Sequence, residues 1–336
     1  MSILKKSIKA LKRIVFRGDP ILQRVFLGRQ SPQKEISVWL HGTGEPLDVT
    51  YSHAMACAVP LTLCIPFDAK QGPRGNESKR LTLKFCEQNG KQRVLGEIEL
   101  RLTHRIVMGG GKDIAIFQVH GSTNYCVPKL QLWAHYLLYG YSDWRNSKKI
   151  SPDLLISSLE KRAMEVLFIC PRPISLVSVI SDIQGNMFPM NVMGDIDANY
   201  FAFALRDSKM PAHLVETSGR LALSSVPFEH GSFAYRLGVN HNKKAIDWYE
   251  LPFETRKSKT FHVPVPEFAF RVREMEVEKI QRLGSHTLFI ARIASDETYG
   301  QGTELFAVHG FYQAWQIKQN KGEWSAALAG DASIKS

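Results

Sequence analysis

From Ile36 onward, short apolar runs alternate with glycine, asparagine and proline. Examples are VWL before HGTGE, LTLKF before CEQNGKQ, and IAIFQVH before GST. Runs of this length, with turn-forming residues between them, are typical of β-strands joined by tight connections. The pattern therefore predicts a mainly β fold with peripheral helices, arranged as a barrel or a sandwich.

The length of the chain and a helix signal near its middle predict how the chain divides into domains. The 336 residues exceed the usual size of one domain, and an apolar fraction of 44% is enough for a packed interior. Near the middle, Ser151 can cap a helix and Pro152 suits its first turn. The predicted segments are a basic amphipathic stretch at 1–20, a β domain at 21–150, a linker helix at 151–168, a second β domain at 169–320 and a tail at 321–336.

Residues 1–16 have two chemically different faces. Ile3, Leu4, Ile8, Leu11, Ile14 and Val15 repeat at helical spacing, and Lys5, Lys6, Lys9, Lys12 and Arg13 supply the other face. Two interpretations remain open. The segment is either a helix lying on an anionic membrane surface, or a terminal helix packed on its own protein with its lysines in solvent.

Composition narrows the class of protein. The 43 basic and 32 acidic residues give a net charge of +11, which favours an anionic partner. An aromatic and basic stacking motif is missing, so nucleic acid is not expected. The five cysteines form no CxxC pair, and no apolar run reaches the roughly 18 residues that cross a bilayer. We expect a soluble cytoplasmic protein without disulfides or a metal site.

The two halves resemble each other in the order of their strand and turn signals. Placing Gly44 on Gly185 or His135 on His309 brings similar runs into phase, with shifts of 141 and 174 residues. The difference of 33 residues corresponds to a stretch, 227–263, that the first half lacks. A tandem duplication is one explanation, and two unrelated β domains are the other.

Three motifs of the second half, in the same order, resemble those of flavin reductase-like proteins. The first contains Arg172-Pro173, then a turn with Asp182 and Gly185, then Pro189 before the loop 191–195. The second is the segment HLVETSGRLALSSVPFEHGSFAYRLG. The third is the Gly-Ser-His strand at 284–290, which is similar to the family's closing Gly-Asp-His strand.

This resemblance implies two tandem split β-barrels of the FMN-binding type, with the flavin held by the second. It implies FMN as the cofactor, with FAD as an alternative, and NADH or NADPH as a transient reductant. His286 would orient the hydride donor, since direct hydride transfer needs no protein acid or base. The cofactor-binding residues would be Arg172, Asn191, Val192, Met193, Gly194, Arg206, Ser208, Ser224 and Ser225.

Some residues depart from the family pattern. Asn191 stands where a serine or threonine often holds phosphate, and Asp195 and Asp197 bring negative charge near the expected phosphate. In the first half, the positions of His286 and Asn191 correspond to Lys112 and Thr50. The position of Arg206 corresponds to Ile65 or Pro66.

The first half is therefore expected to cover one side of the flavin site in the second half, and not to form a second flavin site. This predicts a monomer with an internal pseudo-dimer, or a homodimer. A non-catalytic binding or scaffold protein that has lost its flavin is the alternative from another class.

Overall fold

A computed structural model describes residues 21–30, 35–68, 72, 81–88, 92–109, 111–146, 156–181 and 184–319. The predictions for 1–20 and 321–336, and for a cap at Ser151, lie outside these residues. The strands are β1 (Val25–Arg29), β2 (Ile36–His41), β3 (Leu47–Asp48), β4 (Ala54–Ala58), β5 (Leu61–Asp68), β6 (Leu81–Glu87), β7 (Val94–Gly109), β8 (Lys112–Asn124), β9 (Arg172–Pro173), β10 (Ser175–Ser181), β11 (Gln184–Met190), β12 (Met193–Asp195), β13 (Tyr200–Arg206), β14 (Arg220–Ser225), β15 (Thr255–Lys257), β16 (Pro264–Pro266), β17 (Arg271–Leu283), β18 (His286–Thr298) and β19 (Glu304–Val308). The helices are α1 (Lys129–Asn146), α2 (Ser158–Leu167), α3 (Met210–Ser218), α4 (Gly231–Arg236) and α5 (Gly310–Lys318).

Each half of the chain contributes one antiparallel sheet of seven strands. The order is β3-β2-β6-β7-β8-β5-β4 in the first half and β11-β10-β14-β17-β18-β13-β12 in the second. The two orders become identical when strands are matched by their sequence within each half. The mainly β fold with peripheral helices is confirmed. The equal strand order supports the tandem duplication, which stays a prediction.

In strands that have one face toward solvent, apolar and polar residues alternate along the sequence. In β2 and β6, buried and partly exposed residues alternate, as a half-buried strand requires. Strand β4 is buried along its whole length because the second half covers its other face. The apolar runs in the sequence thus include half-buried strands, such as β2 and β6, and a strand buried on both faces, β4.

The two halves pack on each other through β4, β5 and β8 of the first and β12, β13 and β18 of the second. Small residues allow the close approach: a Cβ atom added to Gly194 would lie 2.9 Å from the Cβ of Ala54. The apolar interface contains Ala54, Ala56, Cys64, Ile114, Ile116, Ile196, Ala202, Ala204, Leu288 and Ile290.

Two helices connect the sheets. The longer one, α1, was not predicted from the sequence, and α2 begins later than the expected cap at Ser151. Ser157 caps α2 in a capping box with Glu160, whose Oε1 also accepts a hydrogen bond from the Leu61 amide at 3.2 Å. Among the described residues, no helix is long and apolar enough to cross a membrane.

The stretch 227–263 folds into α4, β15 and short 3-10 turns beside β11. Asn240 fixes it in place, because its side-chain amide donates to the carbonyl of Met187 at 2.9 Å. In addition, the side-chain amide of Asn186 donates to the carbonyls of Asn240 and Lys243 at 3.0 and 2.9 Å. This packing brings the residues that follow Asn240 to one end of the second-half sheet.

Candidate functional site

The predicted residues Asn191, Arg206 and His286 meet at one end of the second-half sheet. Strands β13 and β18 are neighbours, and their register sets Arg206 opposite His286. Asn191 follows the end of β11. Together with Val192, these residues line a cavity of about 360 Å³, which we call the His286 cavity.

The His286 cavity is cationic. Arg206 and Lys209 line it, and no aspartate or glutamate is among its lining residues. The ammonium of Lys209 donates to the side-chain oxygen of Asn242. Within the described part of the chain, the guanidinium of Arg206 forms no ion pair. The cavity lining thus combines a planar guanidinium with a point charge, and both favour a bound anion.

His286 is held as a neutral ring. It is 6% exposed, and burial together with the nearby charge of Arg206 lowers its pKa to about 4, against an opposing effect of Asp207. The Oγ of Ser285 lies 2.8 Å from its Nδ1, and the Sγ of Cys57 lies 3.7 Å from the same atom. A neutral imidazole carries one proton, so these contacts influence which nitrogen holds it.

The first half forms part of the support behind His286. Gly284 has a φ of +56°, and a Cβ atom there would lie 2.3 Å from the carbonyl oxygen of Val59. The same oxygen accepts a hydrogen bond from the Ser285 amide at 2.8 Å. Only glycine therefore allows the β17–β18 hairpin to rest on the turn between β4 and β5.

Sequence reasoning missed three residues that line the cavity with polar side chains: Lys209, His241 and Asn242. Lys209 follows the predicted Ser208, so its place in the same loop was a usable signal. His241 donates from Nε2 to the Pro189 carbonyl at 2.9 Å, and burial lowers its pKa. Residues 241 and 242 belong to the 227–263 stretch, for which the first half offers no counterpart.

Four other predicted residues line a different cavity. Arg172, Met193, Gly194 and Ser225 face a space of about 210 Å³ between the two halves, which we call the Arg172 cavity. Ser208 is exposed in the turn after β13 and lines neither cavity described here. Ser224 is fully buried and also lines neither.

The Arg172 cavity contains acids as well as cations. Arg172 is buried, donates to the carbonyl of His53 at 3.0 Å, and has its pKa lowered by burial. Asp195 pairs with Arg273 at 2.5 Å and faces this cavity rather than the His286 cavity. Asp197 pairs with Lys112 at 3.8 Å. The two aspartates expected to oppose a phosphate therefore do not line the cationic cavity.

The first half differs at the position that matches Arg206. In the register of β5 and β8, Asp68 lies opposite Lys112, as Arg206 lies opposite His286 in the second half. With Lys112 matched to His286, this register makes Asp68 the counterpart of Arg206, in place of the predicted Ile65 or Pro66. The alignment by sequence lies two or three positions away from this register, because apolar strands without a distinctive residue do not fix a unique alignment.

Neither a protein-family model nor a curated protein matches the sequence. Several solved structures are similar to part of the fold. The NADH:FAD oxidoreductase of Streptomyces globisporus has a TM-score of 0.40 at 12% identity, over 45% of this chain and 88% of that one. The flavin reductase of styrene monooxygenase from Pseudomonas putida S12 has a TM-score of 0.36 at 20% identity, over 44% and 92%. An FMN-binding protein from Thermus thermophilus has a TM-score of 0.37 at 21% identity, over 40% and 81%.

Proposed function

We propose that the His286 cavity binds a flavin and that the protein is an oxidoreductase of the flavin reductase type. FMN is the expected flavin, FAD is the alternative, and NADH or NADPH is the hydride donor. The observation that carries this proposal is the lining of the cavity. It combines Arg206, Lys209 and a buried neutral His286 with no carboxylate.

The lining suits the chemistry of a flavin nucleotide. A phosphate needs several donors aimed at it, and Arg206, Lys209 and the amide of Asn191 provide them. A flavin ring needs an apolar slot, and Met190, Val192 and Leu205 supply apolar lining beside those donors. A volume of about 360 Å³ lies within the range of ligand cavities.

The roles assigned to the protein are binding, orientation and exclusion of water. A bound flavin would supply the ring that accepts two electrons as a hydride. Arg206 and Lys209 would hold its anionic end. His286 would position the ring or the nicotinamide through a ring nitrogen, and its low pKa keeps it uncharged at neutral pH.

Titration of the flavin-free protein with FMN, followed by quenching of flavin fluorescence, tests the proposal. Because charged hydrogen bonds contribute more than neutral ones, the double variant R206A/K209A should bind FMN about 100-fold more weakly. The matched control is R282A, which removes an exposed arginine at the end of β17. The proposal fails if neither FMN nor FAD binds the unmodified protein, or if the control weakens binding as much as the double variant.

A second measurement tests the reaction. With FMN bound and oxygen excluded, NADH or NADPH should bleach the flavin absorption. Binding without bleaching by either nucleotide would leave a flavin-binding protein and remove the reductase from the proposal.

A further inference from the structure

Helix α1 has apolar side chains on two opposite faces. The inner face packs on the protein: the ring of His135 lies 5.4 Å from that of Phe311, and Leu132 and Tyr136 contact the main core. The outer face is exposed. Its large apolar residues have exposed fractions between 56% and 86%, and we call them the outer stripe: Leu130, Trp133, Leu137, Tyr141 and Trp144. An exposed apolar stripe of this size is typical of an interaction surface.

The spacing of the outer stripe favours another helix as its partner. Successive members are three, four, four and three residues apart, which gives the narrow seam of helix-on-helix packing. Gly140 lies within this seam, and a Cβ atom added to it would meet nothing within 4 Å. A second backbone can therefore approach closely at this point.

The chain itself contains a matching seam. Leu4, Ile8, Leu11 and Val15 are four, three and four residues apart. As a helix, residues 4–15 would be roughly 17 Å long, against about 21 Å for the outer stripe. The lysines of this segment fall between the seam positions, so packing on α1 would leave them in solvent.

The point of attachment is beside α1. The hydroxyl of Tyr139, on α1, donates a hydrogen bond to the carbonyl of Ile21 at 3.1 Å. The chain from Ile21 back to Val15 can span up to about 20 Å, which is enough to pass around a helix about 10 Å across. Attachment at this distance gives the segment a high effective concentration at the outer stripe.

We propose that residues 4–15 form a helix that packs lengthwise on the outer stripe of α1. This contact covers the stripe and replaces it at the surface with a row of lysines. Two alternatives compete with this contact: a second copy of the chain covers the stripe, or an anionic membrane binds residues 4–15. Each gives a different result in the experiment below.

Hydrogen exchange of the full chain, read peptide by peptide, tests the proposal. The variant W133Q/L137Q removes apolar surface from two exposed positions, so the fold should persist. Its residues 4–15 should exchange at least about tenfold faster than those of the unmodified protein. The matched control is I317Q, which changes an exposed apolar residue of α5 outside the stripe and should leave this exchange unchanged.

The reciprocal change gives an independent result. The variant I8Q/L11Q should increase the quenching of tryptophan fluorescence by acrylamide, because Trp133 and Trp144 lose their cover. The control K6Q/K9Q should not. If residues 4–15 exchange at the same rate in W133Q/L137Q and in the unmodified protein, the proposal is wrong.

Two other outcomes would also overturn it. In the first, the protein is a dimer by light scattering, W133Q/L137Q makes it a monomer, and residues 4–15 are unprotected in both. In the second, residues 4–15 become protected only when vesicles of phosphatidylcholine and phosphatidylserine are added. The first assigns the stripe to a second copy, and the second assigns the segment to a membrane.

Discussion

The Sγ of Cys57, in the first half of the chain, lies 3.7 Å from Nδ1 of His286 in the second half. The thiol of Cys57 also donates to the Val59 carbonyl at 3.2 Å, the same oxygen that accepts from the Ser285 amide. The turn after β4 therefore supports the hairpin that carries His286. This contact can be altered without changing Arg206 or Lys209.

The first prediction concerns the close packing at Gly284. G284A should lower the free energy of unfolding by about 3 kcal/mol or more, because a left-handed backbone and a collision with the Val59 carbonyl act together. G219A is the matched control: Gly219 has a φ of +66°, but nothing lies within 4 Å of an added Cβ. It should cost only about 1 kcal/mol. Urea denaturation measures both, and equal losses would contradict the contact between the halves.

The second prediction concerns the role of His286. H286A should slow the reduction of bound flavin by NADH or NADPH by roughly 10- to 100-fold, because a misplaced hydride donor is costly. The affinity for FMN should change by less than about threefold, since Arg206 and Lys209 remain. Stopped-flow absorbance gives the rate and fluorescence quenching the affinity. H213A, at an exposed histidine of α3, is the control, and an unchanged rate in H286A would remove His286 from the mechanism.

The third prediction concerns Ser285 as a positioning residue. If its hydroxyl donates to Nδ1, the proton of the neutral His286 ring is on Nε2. S285A should shift the tautomer toward Nδ1–H and slow flavin reduction, whereas S285T, which keeps the hydroxyl, should preserve both. Nitrogen chemical shifts of the labelled ring report the tautomer directly. A slower rate in S285A with an unchanged tautomer would mean that the serine acts only through packing.

The strands and part of the site were predictable because their signals are local. Alternation and turn residues mark β2 and β6, and the Gly-Ser-His motif marks the start of β18. The contact between Arg206 and His286 is not local, but it follows once β13 and β18 are neighbours. Ser224 shows the limit: β14 is buried on both faces over most of its length, so alternation gives no sign of where its side chains point.

Other features depend on packing that the sequence does not display. Helix α1 has apolar residues on both faces, which obscures the single-faced pattern by which amphipathic helices are recognised. His241 and Asn242 reach the His286 cavity because Asn240 attaches the 227–263 stretch to β11. Predicting that contact requires knowing which backbone carbonyls of β11 are accessible to a side chain.

The fourth prediction concerns stability in acid. His309 caps α5 because its Nδ1 accepts a hydrogen bond from the Phe311 amide at 3.1 Å. Burial, and to a smaller extent the nearby His135 and Arg24, lowers the pKa of His309 to about 3. The folded protein holds it neutral, while the unfolded chain binds a proton near pH 6.5. Its contribution is therefore fully present above pH 6.5 and is lost as the pH falls toward 3.

Between pH 7 and pH 5, protonation of His309 in the unfolded chain should lower the free energy of unfolding by about 2 kcal/mol. H309N keeps a capping acceptor and removes the titrating group. Its free energy of unfolding should therefore fall by about 2 kcal/mol less than that of the unmodified protein over this pH interval. Urea denaturation at several pH values measures the difference, with H213N as the control. Parallel pH profiles for H309N and the unmodified protein would contradict the buried neutral state.

The last prediction is that each chain binds one flavin. The two sheets have the same strand order, so a repeated site would lie where Asp68 faces Lys112 in the first half. There a carboxylate replaces Arg206, and it would repel a phosphate where the arginine would attract one. Lys112 is also paired with Asp197 of the second half.

Titration with FMN, followed by fluorescence quenching against a known protein concentration, counts the sites. One equivalent should bind per chain, and R206A/K209A should lose it without revealing a second. D68N serves as the matched change in the first half: it removes the carboxylate but adds no cation, so the stoichiometry should stay at one. Two equivalents in the unmodified protein would show that the first half binds flavin despite Asp68, and would also weaken the case that Arg206 decides the location of the site.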